Sequence, residues 1–118
     1  TTHVNLEELM QLVNNDYSKL EKYISIFFNN VPSDLERLKD AFDLQKWAEL
    51  GKIGHKIKGN VGYMGITSIK KDLEILEKVN KDVGDLEEIA DIVNRVEVVL
   101  EIATKELKEI IGELKEKA

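Results

Sequence analysis

Apolar residues along this chain recur at intervals of three and four, the spacing that lines one face of an α-helix. Leu6, Leu9, Met10 and Val13 form a short first set, with Asn5 and Glu8 placed as a cap and its reciprocal partner. A second set, Leu20, Ile24, Phe27, Phe28 and Val31, follows the candidate cap Asp16. The pattern resumes beyond Pro32 as Leu35, Leu38 and Phe42. Proline ends or kinks a helix, and the continuing register predicts one long kinked helix rather than two. A third helix is predicted from Asp43 to about Gly62, then a turn at Gly65, Thr67 and Ser68. Ile69, Leu73, Leu76 and Val79 mark a fourth. After a break around Asp82 to Asp85, the last helix carries Leu86, Ile89, Val93, Val96, Leu100, Ala103, Leu107, Ile110 and Leu114 at helical spacing.

Short connections between long amphipathic helices make neighbours antiparallel. The predicted fold is therefore all-α: an antiparallel up-down four-helix bundle with an additional short N-terminal helix. At 118 residues the chain reads as a single domain. Residues 1–15 form its N-terminal helix, 16–104 the bundle core and 105–118 a Lys- and Glu-rich projecting end. One proline and seven glycines suit this composition. No run approaches the ~18 apolar residues of a membrane span, so no membrane insertion is expected, and no signal peptide heads the sequence. The chain opens Thr-Thr, as a processed chain or an excised piece does. A cytoplasmic location and a monomeric isolated domain are the simplest expectations.

The formal charge is −6 with both signs interspersed, which argues against nucleic acid as a partner. With no cysteine there are no thiolate metal ligands. Only two histidines are present, His3 and His55, and His55 lies inside a predicted helix. On a wheel advancing 100° per residue, Leu50, Ile53, Ile57, Val61 and Met64 fall roughly opposite His55 and form the core face. Ala48, Gly51, Gly59 and Gly62 fall within about 40° of it. Glycine inside a helix costs about 1 kcal/mol relative to alanine. Gly51, Gly54, Gly59 and Gly62 together cost roughly 3–4 kcal/mol, against ~5–15 kcal/mol of net stability for a whole domain. The preferred account is clearance for a partner that must approach His55; the other is close packing of a second helix of the same bundle.

Lys58, three residues on, shares the surface of His55 and suits the negative charge of a phosphoryl group, although a lysine on such a face is usually just solvated. If the third and fourth helices turn near residue 66, His55 and Glu77 lie equally far from the turn and at the same height. A carboxylate there would fix the imidazole tautomer and leave the other nitrogen as nucleophile; the alternative is an ordinary surface glutamate. No metal site is expected, because the position four residues after His55 is Gly59.

The stretch His55-Lys56-Ile57-Lys58-Gly59 through Gly65, followed by Leu76-Glu77, closely resembles the signature of histidine-containing phosphotransfer (Hpt) domains. Phe27-Phe28, Pro32, Leu35, Leu38 and Trp47 resemble the family's approach to the site, so recognisable positions span about residues 16 to 80. The resemblance implies His55 as phospho-acceptor, Lys58 as the phosphate's countercharge, Gly59 as clearance residue and Glu77 as the residue orienting the imidazole. Gly54 stands where alanine is common, and Asn60 replaces a small or hydroxyl residue, which removes support for a phosphate contact there. It further implies a phosphorelay intermediate that exchanges its phosphoryl group with the aspartate of a response-regulator receiver domain, or that accepts it from a histidine kinase. No cofactor is bound by the domain itself; Mg2+ is expected on the receiver. The wording resembles relay modules attached to hybrid sensor kinases. Alternatives are the phospho-accepting domain of a chemotaxis-type kinase and a non-catalytic interaction or oligomerisation bundle built on the last helix. An enzyme using His55 and Glu77 as an acid–base pair would lack an evident deep pocket, a nucleophilic serine and a second convergent histidine.

Overall fold

Local chemistry sets where each helix starts and stops. The computed structural model describes residues 2–79 and 85–117, and its elements are α1 (Glu7–Leu12), α2 (Tyr17–Asp43), α3 (Trp47–Tyr63), α4 (Lys70–Glu77) and α5 (Leu86–Lys117). Asp16 caps α2 as expected: its Oδ1 accepts from the backbone N–H groups of Ser18 at 3.0 Å and Lys19 at 3.3 Å. Asp85 does the same for the start of α5, accepting from Glu87 and Glu88. The rest of the expected break, Asp82 to Gly84, lies outside the described residues. Asn5 accepts from Glu7 N at 3.0 Å, while Glu8 makes no reciprocal bond to it.

Three helices end in the same way. Asn14, Gln45 and Gly65 have φ of 53°, 54° and 67°, a left-handed turn that folds the chain back over the last helical carbonyls. After α2, Gln45 N bonds Phe42 O and Lys46 N bonds Ala41 O; after α3, Gly65 N bonds Gly62 O and Ile66 N bonds Val61 O. The third helix therefore begins at Trp47. Asp43 does not open it but closes α2. Pro32 lies inside α2, which runs on as one helix of 27 residues.

α2, α3, α4 and α5 pack in a closed cycle, each against its two neighbours in the order 2-3-4-5-2. This is a four-helix bundle with α1 as the extra short helix, in agreement with the predicted class. The core holds Leu20, Ile24, Phe27, Val31 and Leu38 from α2; Leu50, Ile53, Ile57 and Val61 from α3; Leu73 and Leu76 from α4. α5 adds Ile89, Ile92, Val93, Val96, Leu100, Ala103 and Leu107. Leu86, placed on that stripe by periodicity, is instead exposed. Leu107 is fully buried, and Ile110, Ile111 and Leu114 are half-buried against the core, so packing continues past the expected boundary at 104. At 1.5 Å per residue a helix of 32 residues is about 48 Å long, which sets the molecule's long dimension of 51 Å. Among the described residues no helix is long and apolar enough to cross a membrane.

The segment before α1 is tied across one end of the bundle. The Glu106 carboxylate on α5 accepts from His3 N at 2.9 Å and Val4 N at 2.8 Å. Asn5 N bonds Met64 O at 3.0 Å, and Val4 is buried. Gly65 sits directly beneath this strap: a Cβ there would lie 1.9 Å from Asn5 O, so no larger residue fits.

Candidate functional site

α3 turns its apolar stripe inward and so lifts His55 onto the surface, its side chain 76% exposed. α4 runs back beside it. Gly51 and Gly54 set how near: a Cβ at Gly51 would lie 3.2 Å from Glu77 O, and one at Gly54 3.3 Å from Leu76 Cβ. This departs from the preferred sequence expectation, because Gly51 lies under α4 and serves the approach of two helices of the bundle. Gly59 and Gly62 behave differently, since a Cβ at either would meet nothing within 4 Å. Ala48 is exposed. The four positions expected to give clearance thus divide, with Gly59 and Gly62 beside open space and Gly51 in a helix contact.

The close approach of α4 delivers Glu77 to the imidazole. Its Oε1 is bonded to His55 Nδ1, and its Oε2 accepts from Lys58 Nζ at 2.8 Å. One carboxylate therefore ties together both residues of the His-x-x-Lys pair. The Lys58 bond, seconded by that of His55, holds the Glu77 carboxyl below the usual range, so it is ionised at neutral pH. The same bond raises the Lys58 ammonium above the usual lysine value. An ionised carboxylate only accepts, so in the neutral imidazole the proton sits on Nδ1 and the lone pair on Nε2. Among the described residues Nε2 has no hydrogen-bond partner. Glu77 is 19% exposed, which shields this arrangement more than that of a fully solvated pair.

His55 also borders a hollow of about 460 Å³, lined by Trp47, Ala48, Gly51, Lys52, Glu77 and Val79. On the other flank of α3, Lys56 Nζ meets Asp34 Oδ1 of α2 at 3.0 Å, with Arg37 of α2 at 3.7 Å. Asp34 is 2% exposed, and its Oδ2 has no partner. Sequence reasoning missed Asp34, although Val31, Asp34, Leu38 and Ala41 share the spacing of the buried stripe. Lys52 and Trp47 as walls of the hollow were also missed, as was the Lys58–Glu77 bond. Asn60 is half-buried, with an enclosed Nδ2 that lacks a partner. Among the described residues no group of three or more His, Asp or Glu side chains converges as a metal site would require.

The described residues thus form a four-helix bundle that presents His55 on its surface, braced by a carboxylate and a lysine. The family model of the Hpt domain matches residues 22–117, and the chain belongs to the Hpt domain family. It is accordingly a histidine phosphotransfer module of two-component signalling and not an enzyme in its own right. The match leaves α1 and the strap outside it. Comparison with curated proteins and with solved structures finds no match.

Proposed function

We propose that His55 is the residue that carries the phosphoryl group, on Nε2, and that the chain exchanges it with the aspartate of a response-regulator receiver domain. The observation that carries this reading is the bond between Nδ1 and Glu77, with Nε2 left on an exposed face without a hydrogen-bond partner among the described residues. In the accepting direction the Nε2 lone pair attacks the phosphorus of an aspartyl phosphate. The N–P bond forms as the P–O bond breaks, and the aspartate leaves as a carboxylate. The ring proton stays on Nδ1, so the imidazole becomes a phosphoimidazolium whose positive charge faces Glu77. The reverse step returns the lone pair to Nε2. Little covalent machinery is needed beyond alignment and charge.

Lys58 offsets the incoming charge, and the open space at Gly59 and Gly62 admits the receiver's surface. The receiver supplies Mg2+ and the aspartate, so the domain binds no cofactor. Attachment to a hybrid sensor kinase is the context this reading favours.

The test mixes the chain with a phosphorylated receiver and Mg2+, and follows label on both proteins. Expected is transfer to this chain of a label lost in acid and stable in base, and absent in His55→Gln. A His55→Gln variant that still takes up label would refute the assignment.

A further inference from the structure

Three lysines surround His55 in sequence, and two of them are already engaged. Lys56 is held by Asp34 at 3.0 Å and Lys58 by Glu77 at 2.8 Å. Lys52 has no acidic partner among the described residues. The one carboxylate a turn away on its own helix, Glu49, accepts from Arg37 at 3.0 Å. Lys52 is exposed, and it lines the hollow that His55 borders.

Helix geometry places Lys52 on the side toward which the ring extends. Side chains on an α-helix lean toward its N-terminus, so a residue covers the turn before its own Cα. His55 therefore leans over the turn of Gly51 and Lys52, while Lys58, on the following turn, is bonded to Glu77. Residues three apart have Cβ atoms roughly 5–6 Å apart, well within the span of a lysine stem and a phosphorylated imidazole. Trp47 and Val79 wall the hollow with apolar surface, and among the described residues that line it Lys52 is the lysine and Glu77 the carboxylate.

We propose that Lys52 is a second phosphate-binding residue of this domain, its ammonium donating to the phosphoryl oxygens on His55 while Lys58 remains shared with Glu77. The proposal rests on the reading of His55 as phospho-acceptor. It also divides the labour between the lysines. Lys58 adds its charge while bonded to Glu77, which it holds beside Nδ1, and Lys52 brings a second ammonium to the two negative charges of the arriving group.

Phosphoramidate tests this without a protein donor. Its protonated amine leaves as ammonia while the Nε2 lone pair forms the N–P bond; the ring proton stays on Nδ1. Uptake by the full chain is timed, and the phosphohistidine ³¹P resonance recorded, for wild type, Lys52→Ala, Lys52→Arg and His55→Gln. Lys52→Ala is expected to slow uptake roughly five- to tenfold, the scale of one partly exposed charged contact, and to shift the ³¹P resonance. Lys52→Arg is expected to restore most of both. Uptake by His55→Gln would overturn the assignment of the acceptor and this proposal with it. A silent His55→Gln beside a Lys52→Ala indistinguishable from wild type would overturn the role of Lys52 alone. A loss seen only with a phosphorylated receiver as donor would also overturn it, because Lys52 would then be touching the partner and not the phosphoryl group.

Discussion

The glycines of α3 offer a test in which sign matters more than size. Gly59→Ala and Gly51→Ala make the same chemical change in the interior of the same helix. Each removes a helix-propensity penalty of about 1 kcal/mol. At Gly59 nothing lies within 4 Å of the new methyl, so that gain stands alone. The expected result is a chain more stable by about 1 kcal/mol, or about 4 °C in Tm for a domain of this size. At Gly51 the methyl would press on two backbone oxygens of α4, 3.2 Å from Glu77 O and 3.4 Å from Leu76 O. Backbone cannot swing aside as a side chain does, so α3 and α4 must separate, at the roughly 1–3 kcal/mol typical of overpacking. The net expectation is a loss of up to about 2 kcal/mol. Urea unfolding followed by circular dichroism measures both, with unchanged m-values as the check on two-state behaviour. Equal stabilisation by the two substitutions would refute the claim that Gly51 serves helix contact. A destabilised Gly59→Ala would refute the claim that Gly59 faces open space. Gly59→Leu then separates stability from docking: helicity should persist while transfer from a receiver slows far more than uptake from phosphoramidate.

The buried carboxylate Asp34 predicts an asymmetry between its two partners. Lys56→Met strands the charge against Arg37 alone and should cost about 2 kcal/mol, whereas Asp34→Leu removes charge and unpaired oxygen together and should be near neutral; chemical denaturation of both variants decides it. Glu106→Ala should free the amides of His3 and Val4 at a cost of about 1–2 kcal/mol, visible as faster hydrogen exchange at Val4 with the α2–α5 core still protected. Glu77 and Lys58 predict a pH window. The Glu77 carboxyl is lowered, so its contribution is present above the unfolded value near 4.3 and lost as pH falls through the folded value beneath it. The Lys58 ammonium is raised, so its contribution is present below about 10.4 and lost as pH rises through the folded value above that. The stability difference between wild type and Glu77→Ala should therefore shrink as pH falls through the lower limit and as it rises through the upper one, as urea midpoints measured against pH would show.

Much of the bundle was legible because its apolar stripes are long and regular, and α2 could be read through Pro32 for that reason. The start of α3 was not. A left-handed residue closes α2, and glycine or asparagine normally signals it; here Gln45 takes that conformation and leaves no mark in the sequence. His55 and its height relative to Glu77 were readable, because a helical wheel and a hairpin fix both. The role of Gly51 was not, because the wheel places Gly51 and Gly59 at equal angles on opposite sides of His55, and only packing decides which side α4 covers. Asp34 escaped notice because its spacing marks it as buried while its charge argues for solvent, and the partner that resolves the conflict lies on another helix.

The strap at the N-terminal end has a mechanical consequence. Its anchors are spread over separate elements: Glu106 on α5, the Met64 carbonyl at the end of α3, and the hydroxyl of Ser68 before α4, which bonds the His3 ring at 2.9 Å. A load drawn through residues 3 to 5 is divided among them at one end of the rod. Met64 lies nine residues along the chain from His55, about 14 Å at the rise of an α-helix. A tug on residues 3 to 5 is thus grounded before it reaches the imidazole, and the face that carries His55 keeps its geometry.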